Sequence, residues 1–159
     1  MIYFLPNILL ALTWAALTGG FTFDALAVGF GLGYVALWFT QPLFGGGPSP
    51  YFTRVWRALE LLLYFHYELL TSSIAVAWDV LTPKHLATPR LVEMPLDVRS
   101  DAEILLVTNL ISLTPGTLSV DVSEDRSTLL VHAMFAEDPE ALIRDLKQGM
   151  ERRVREVFE

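Results

Sequence analysis

Asn109-Leu-Ile-Ser-Leu-Thr-Pro-Gly-Thr-Leu-Ser-Val-Asp-Val122 decides how the second half of this chain folds. Pro115-Gly116 is a hard stop. Proline biases the residue before it away from helix, and glycine lets the backbone turn. Upstream, Ser100 or Asp101 can cap a helix with Glu103 in its first turn. That helix carries Ile104, Leu105, Val107, Leu110 and Ile111 and ends before Pro115. Downstream, Thr117 to Val122 alternates as a strand, Ser123-Glu-Asp-Arg126 is a hairpin turn, and Thr128 to Met134 is the partner strand.

Working outward, Leu91 to Val98 reads as a further strand, and Pro95 demotes it towards an edge. Asp138-Pro139-Glu140 starts a last helix with cap and N1 proline in place. Its apolar face is Leu142, Ile143, Leu146, Met150, Val154, Val157 and Phe158. The order is strand, helix, strand, strand, helix over residues 90–159. A right-handed crossover followed by a hairpin makes a small α+β sandwich, a truncated ferredoxin-like βαββα unit. About 70 residues give a thin core, so the domain is expected to lean on other helices or partners.

The first half differs. Before Arg54 there is no Lys or Arg, and Asp24 is the only acid, whereas residues 88–159 carry 8 basic and 14 acidic side chains. An apolar front joined to a charged back is the profile of a membrane-anchored domain. Residues 2–18 and 25–43 approach the ~20 residues that cross a hydrocarbon core. Residues 1–43 are therefore read as a two-helix transmembrane hairpin. Ala11, Ala15 and Gly19, and likewise Ala25, Gly29 and Gly33, recur at a spacing that lets helices approach closely. No basic n-region precedes the first apolar run, so it is expected to be retained and not cleaved as a signal peptide.

Residues 44–53 are read as a Gly/Pro loop, with Gly45 to Pro50 ending the second helix. Residues 54–82 form a long amphipathic helix. Arg57, Glu60, Tyr64, Glu68, Thr71, Ala75, Asp79 and Thr82 make one polar stripe. Trp56, Leu59, Leu62, Leu63, Leu70, Ile74, Ala77, Val80 and Leu81 make up the rest of the surface. Two placements fit: interfacial or protein-covered, and a third span with its stripe against other subunits or a water-filled path. Each acid facing lipid at mid-bilayer costs about 2.5 kcal/mol or more, which favours the interface. With two spans every Lys and Arg falls on one side, as the positive-inside rule asks, so the C-terminal domain is expected in the cytoplasm.

The composition also excludes chemistry. There is no cysteine, so disulfides, thiolate zinc sites and cysteine nucleophiles are out, and a net charge of −7 argues against nucleic acid. No nucleophile elbow, phosphate loop or metal spacing occurs, so no catalytic residue, metal or cofactor is expected. Ser119 and Ser127 occupy ordinary strand and turn positions. Gly29-Phe-Gly-Leu-Gly33 lies inside an apolar span, not after a strand, and is no dinucleotide turn. His66 lies off the glutamate stripe and reads as part of an aromatic cluster, His132 as a half-buried strand residue, and His85 as linker. Glu60, Glu68 and Asp79 are the ionisable candidates for subunit or ion-path contacts, but one stripe on one helix does not enclose a transport site.

Asn109-Leu-Ile-Ser-Leu-Thr-Pro-Gly-Thr117, Val122-Ser-Glu-Asp-Arg126, Val131-His-Ala133 and Glu151-Arg-Arg-Val-Arg-Glu-Val157 together resemble the E-type subunits of the multisubunit Na+/H+ antiporters of the Mrp type, the MrpE/MnhE/PhaE family. The likeness covers nearly the whole chain, with hydropathy alone carrying the N-terminal part. It implies an accessory subunit of a cation/proton antiporter in the bacterial plasma membrane. Its partners would be the other subunits and membrane lipid, its role assembly and stability, and ion translocation would belong to the large subunits. Asn109, Thr114, Pro115, Gly116, Thr117 and His132 would be structural signature residues. Two alternatives stay open: a membrane-anchored adaptor or scaffold outside any antiporter, and an interfacial enzyme, against which the missing nucleophile and metal patterns argue.

Overall fold

A computed structural model describes residues 3–44, 49–83 and 86–159. Residues 45–48, expected to end the second helix, and His85 lie outside the described residues. Contacts divide the chain into two compact units, Met1–Trp56 and Arg57–Glu159.

In the first unit, α1 (Phe4–Leu17) and α2 (Phe23–Thr40) pack as a hairpin, and a 3-10 turn follows at Gln41–Phe44. The Thr22 hydroxyl accepts the Ala25 N–H at 3.2 Å and caps α2. The small residues set how closely the helices meet. A β-carbon on Gly29 would lie 2.8 Å from Trp14 Cβ, and one on Gly33 would lie 2.3 Å from Asn7 Oδ1. Asn7 is fully buried, and its amide donates to the Tyr51 hydroxyl at 2.8 Å. Tyr34 stacks edge-on against Phe52 at 5.1 Å.

The third helix begins earlier than the 54–82 reading. It is α3, Pro50–Leu81, so residues 50–53 of the expected loop are helical. The physical reason is a start signal inside the loop. Pro50 suits N1, and Ser49 accepts the Tyr51 N–H on its hydroxyl at 3.3 Å and the Phe52 N–H on its carbonyl at 3.1 Å. Among the described residues, two helical stretches are long and apolar enough to cross a membrane, Phe23–Leu43 and Pro50–Leu81. At 14 residues α1 rises only about 21 Å, shorter than the first span read from sequence.

In the second unit the remainder of α3 joins β1 (Arg90–Pro95), α4 (Asp101–Leu113), β2 (Thr117–Val122), β3 (Thr128–Ala133), α5 (Pro139–Leu146) and α6 (Arg152–Phe158). The strand order is β1-β3-β2, with β3 antiparallel to both neighbours. β1 and β2 therefore run parallel with β3 between them, the order of a split β-α-β unit. A full capping box starts α4: the Ser100 hydroxyl accepts the Glu103 N–H, and the Glu103 carboxylate accepts the Ser100 N–H at 2.9 Å. One sheet face, with Val92, Met94, Leu129 and Val131, is buried with Ile104, Val107 and Ile111 of α4 and with Met150 and Val154. Leu61 of α3 belongs to the same core, and Tyr64 and Phe65 pack against it.

Between α5 and α6 the helix widens into one π-helical turn, Lys147–Glu151. The periodic apolar pattern gives no hint of it, because the turn adds one residue without breaking the helix.

Candidate functional site

The polar stripe of α3 faces its own C-terminal helices. The Arg57 guanidinium donates to the Glu156 carbonyl at 2.7 Å. Arg153 lies over the Tyr64 ring at 3.9 Å and pairs with Glu60 at 3.8 Å. Arg153 also donates to the Gly149 carbonyl at 2.9 Å, one of the groups in the widened turn. The Tyr64 hydroxyl hydrogen-bonds Glu68 one turn along. Asp79 is buried, and its Oδ1 accepts the N–H groups of Leu86 and, at 3.1 Å, Ala87. The apolar remainder of α3 is the exposed side: Leu63, Leu70, Ile74 and Trp78 are each more than 60 % exposed. A soluble amphipathic helix has the opposite arrangement.

The Thr114-Pro115-Gly116-Thr117 turn closes α4. Proline lacks an N–H, so the last helical carbonyls need other donors. The Thr114 hydroxyl donates to the Leu110 carbonyl at 2.9 Å, and the Thr117 hydroxyl to the Ile111 carbonyl at 2.6 Å. Gly116 has φ +89°, and its carbonyl accepts the Met134 N–H at 2.7 Å. The turn thus ties α4 to the end of β3.

A third joint hangs from the π turn. Glu151 is 1 % exposed, and its Oε1 accepts the N–H groups of Asp97 at 2.5 Å and Val98 at 3.1 Å. Lys147 donates to the Pro95 carbonyl and pairs with Asp97, both at 2.8 Å, and faces the other Glu151 oxygen at 3.8 Å. One turn of helix therefore holds the first part of the β1–α4 link.

The first two of these joints border a cleft of about 630 Å³. Its walls are Tyr64, Glu68, Ser72 and Ala75 of α3, the 114–117 turn, and Asp145, Gly149, Arg152 and Arg153. The lining mixes both charges with apolar surface, and the threonine hydroxyls of the turn are already engaged. The arrangement is that of a packing junction with a polar opening. Among the described residues no group of three or more His, Asp or Glu could hold a metal ion.

The cleft brings together Glu68, Thr114, Pro115, Gly116 and Thr117 and leaves out the other sequence candidates. Asn109 is exposed on α4, where its amide donates to the Leu105 carbonyl at 2.7 Å. Glu60 sits on the Arg153 side, and Asp79 caps the segment after α3. His66 is exposed; its Nδ1–H donates to the Leu62 carbonyl at 2.8 Å and its ring meets Phe65. His132 corrects the half-buried reading. It is exposed, because α4 and the C-terminal helices pack on the other face of β3. Gly149, Glu151 and Arg153 are central here, and sequence reasoning misses them as site residues. Glu151 and Arg153 belong to the Glu151 to Val157 run that carries the family resemblance, but that run marks neither as a site residue, and Gly149 lies outside it.

The family model described as Na+/H+ ion antiporter subunit matches residues 7–157. The E1 subunit of the Na+/H+ antiporter of Staphylococcus haemolyticus is 37 % identical over 155 residues, covering 96 % of this chain and 95 % of that one. The E subunit of the Na+/H+ antiporter of Alkalihalophilus pseudofirmus is 33 % identical over 153 residues, covering 96 % of each. A chain of the membrane-bound sulfane sulfur reductase, an archaeal respiratory membrane complex, superposes with TM-score 0.60 at 25 % identity over 98 % of both chains. With the turn at 114–117 and all but the outer ends of the first and last helices inside the matched region, the chain belongs to the E-subunit family of the Na+/H+ antiporters.

Proposed function

We propose that this chain is an accessory subunit of a multisubunit Na+/H+ antiporter in a bacterial plasma membrane. It supports assembly and stability of the complex and does not carry the ion. α1 and α2 form the membrane hairpin, α3 lies at the interface, and residues 90–159 face the cytoplasm. The short α1 is met by local bilayer thinning, at a fraction of a kcal/mol per Å.

The observation that carries this reading is the orientation of α3. Its polar stripe is turned onto a charged α+β domain, and Glu60, Glu68 and Asp79 each have a partner within the chain. Acids already bound to a protein scaffold are poor stations on a hydrated ion route, which needs sites enclosed by several helices. A helix packed along a water-soluble domain also cannot cross hydrocarbon over the same stretch. The apolar side of α3 is left for lipid and neighbouring subunits.

Deleting the subunit should lower the amount of assembled antiporter. The purified chain, reconstituted alone, should give no cation-driven proton flux above empty liposomes. Flux from the chain alone that vanishes in Glu68→Gln would overturn the assignment and make α3 part of an ion path.

A further inference from the structure

The sheet has one covered face and one bare face. Register puts Leu91, His132 and Leu118 in one row across β1, β3 and β2 on the bare side, and Glu93, Leu130 and Asp121 in the next. Leu91 is 60 % exposed and Leu118 52 %, and His132, Glu93 and Asp121 are exposed as well. Leu91 and Leu118 thus flank His132 in one row, and in the next Leu130 is flanked by two carboxylates about 10 Å apart, two strand spacings.

We propose that this face docks a Lys- or Arg-bearing segment of another subunit of the antiporter; the inference rests on the subunit reading above. The charges choose the occupant. An anionic membrane surface repels Glu93 and Asp121. A second copy across a two-fold axis would set the same acidic patch against itself. A segment with an apolar ridge and basic side chains beside it satisfies both rows at once.

The β2 edge offers little alternative. Along β2 the outward N–H of Ser119 is taken by the Ser112 hydroxyl at 3.1 Å and that of Val122 by the Asp121 carboxylate at 2.9 Å. A bulge between Ser119 and Asp121 breaks the register. Strand addition along β2 is therefore disfavoured.

The test uses the complex assembled in cells, with a benzophenone amino acid at Leu118 and, separately, at Leu70 on the exposed side of α3. The Leu118 probe should join a different subunit, in a segment carrying at least two Lys or Arg as mapped by mass spectrometry. The pair Glu93→Lys and Asp121→Lys should cut that adduct at least fivefold, Glu93→Gln with Asp121→Asn should cut it less, and the Leu70 adducts should persist. A Leu118 adduct to lipid or to a second copy overturns the proposal. So does no Leu118 adduct while those at Leu70 remain, or a yield that neither charge variant changes. Loss of adducts at both sites, with no co-purifying subunit, sinks the subunit reading and this inference with it.

Discussion

A β-carbon on Gly149 would lie 2.2 Å from the Tyr64 hydroxyl oxygen. The tyrosine has little room to retreat, because Arg153 stacks on its ring and Glu68 holds its hydroxyl. Gly149→Ala sets two effects against each other. Helix propensity gains about 1 kcal/mol. Overpacking against a held ring costs about 1–3 kcal/mol. The variant should therefore unfold earlier in a thermal scan of the full-length protein in detergent, and Tyr64→Phe in the same background should recover part of the loss. A stabilised Gly149→Ala protein would mean that α3 and the C-terminal helix do not meet at this point.

The signature turn should behave as a helix stop. Thr117→Val keeps the shape and removes the hydroxyl bond to the Ile111 carbonyl, at a cost of about 1 kcal/mol. Gly116→Val forces a β-branched residue to φ +89°, costing about 1–3 kcal/mol. Both should lower the amount of assembled complex, measured by co-purification, with Gly116→Val the worse. Normal assembly with exchange abolished per complex would instead demand a mechanistic role for the turn.

Glu151 should matter more than its place in a charged run suggests. Glu151→Ala leaves the N–H groups of Asp97 and Val98 without their acceptor, at about 1–3 kcal/mol for each group left buried. Glu151→Gln keeps an acceptor and should lose less. Chemical denaturation of the two variants separates hydrogen bonding from charge; equal losses would show that the charge facing Lys147 dominates.

What is legible in the sequence is local. Ser100-x-x-Glu103 and Asp138-Pro139 carry their helix starts within four residues, and Pro115-Gly116 carries its stop. The early start of α3 is carried just as locally, by Ser49-Pro50, but the Gly45 to Gly47 run beside it argues for loop. The less legible features depend on what packs where. The spacing of Glu60, Tyr64 and Glu68 gives a stripe but not what the stripe faces. Alternation in β3 gives two faces but not which one α4 covers, so alternation alone misplaces His132. The π turn at Lys147–Glu151 leaves no compositional mark, yet it sets where Lys147 and Glu151 point.

The α4 cap should give a pH-dependent signature. Hydrogen bonds from the Ser100 hydroxyl and N–H hold the Glu103 carboxyl below its ordinary value. A depressed folded-state pKa contributes stability that is fully present above the unfolded value, about 4.3, and is lost as pH falls through the folded value. Ser100→Ala should cost about 1 kcal/mol at neutral pH. The gap between variant and parent should narrow below about pH 4 as Glu103 protonates. A gap independent of pH from 7 to 3 would show that the hydroxyl caps without the carboxylate.

Topology can be read with single cysteines, because the chain has none of its own. Ser49 precedes α3 and Ser127 lies in the β2–β3 hairpin turn, so the two positions bracket the helix in question. If α3 rests at the interface, the absence of Lys and Arg before Arg54 puts both positions in the cytoplasm. Cysteines introduced at Ser49 and Ser127 should then both resist a membrane-impermeant thiol reagent in intact cells and react once the cells are opened. Labelling at Ser49 alone would make α3 a third span, as its 32 residues permit. It would also require the polar stripe to leave the α+β domain and take partners inside the membrane, since unpaired acids there cost about 2.5 kcal/mol or more each.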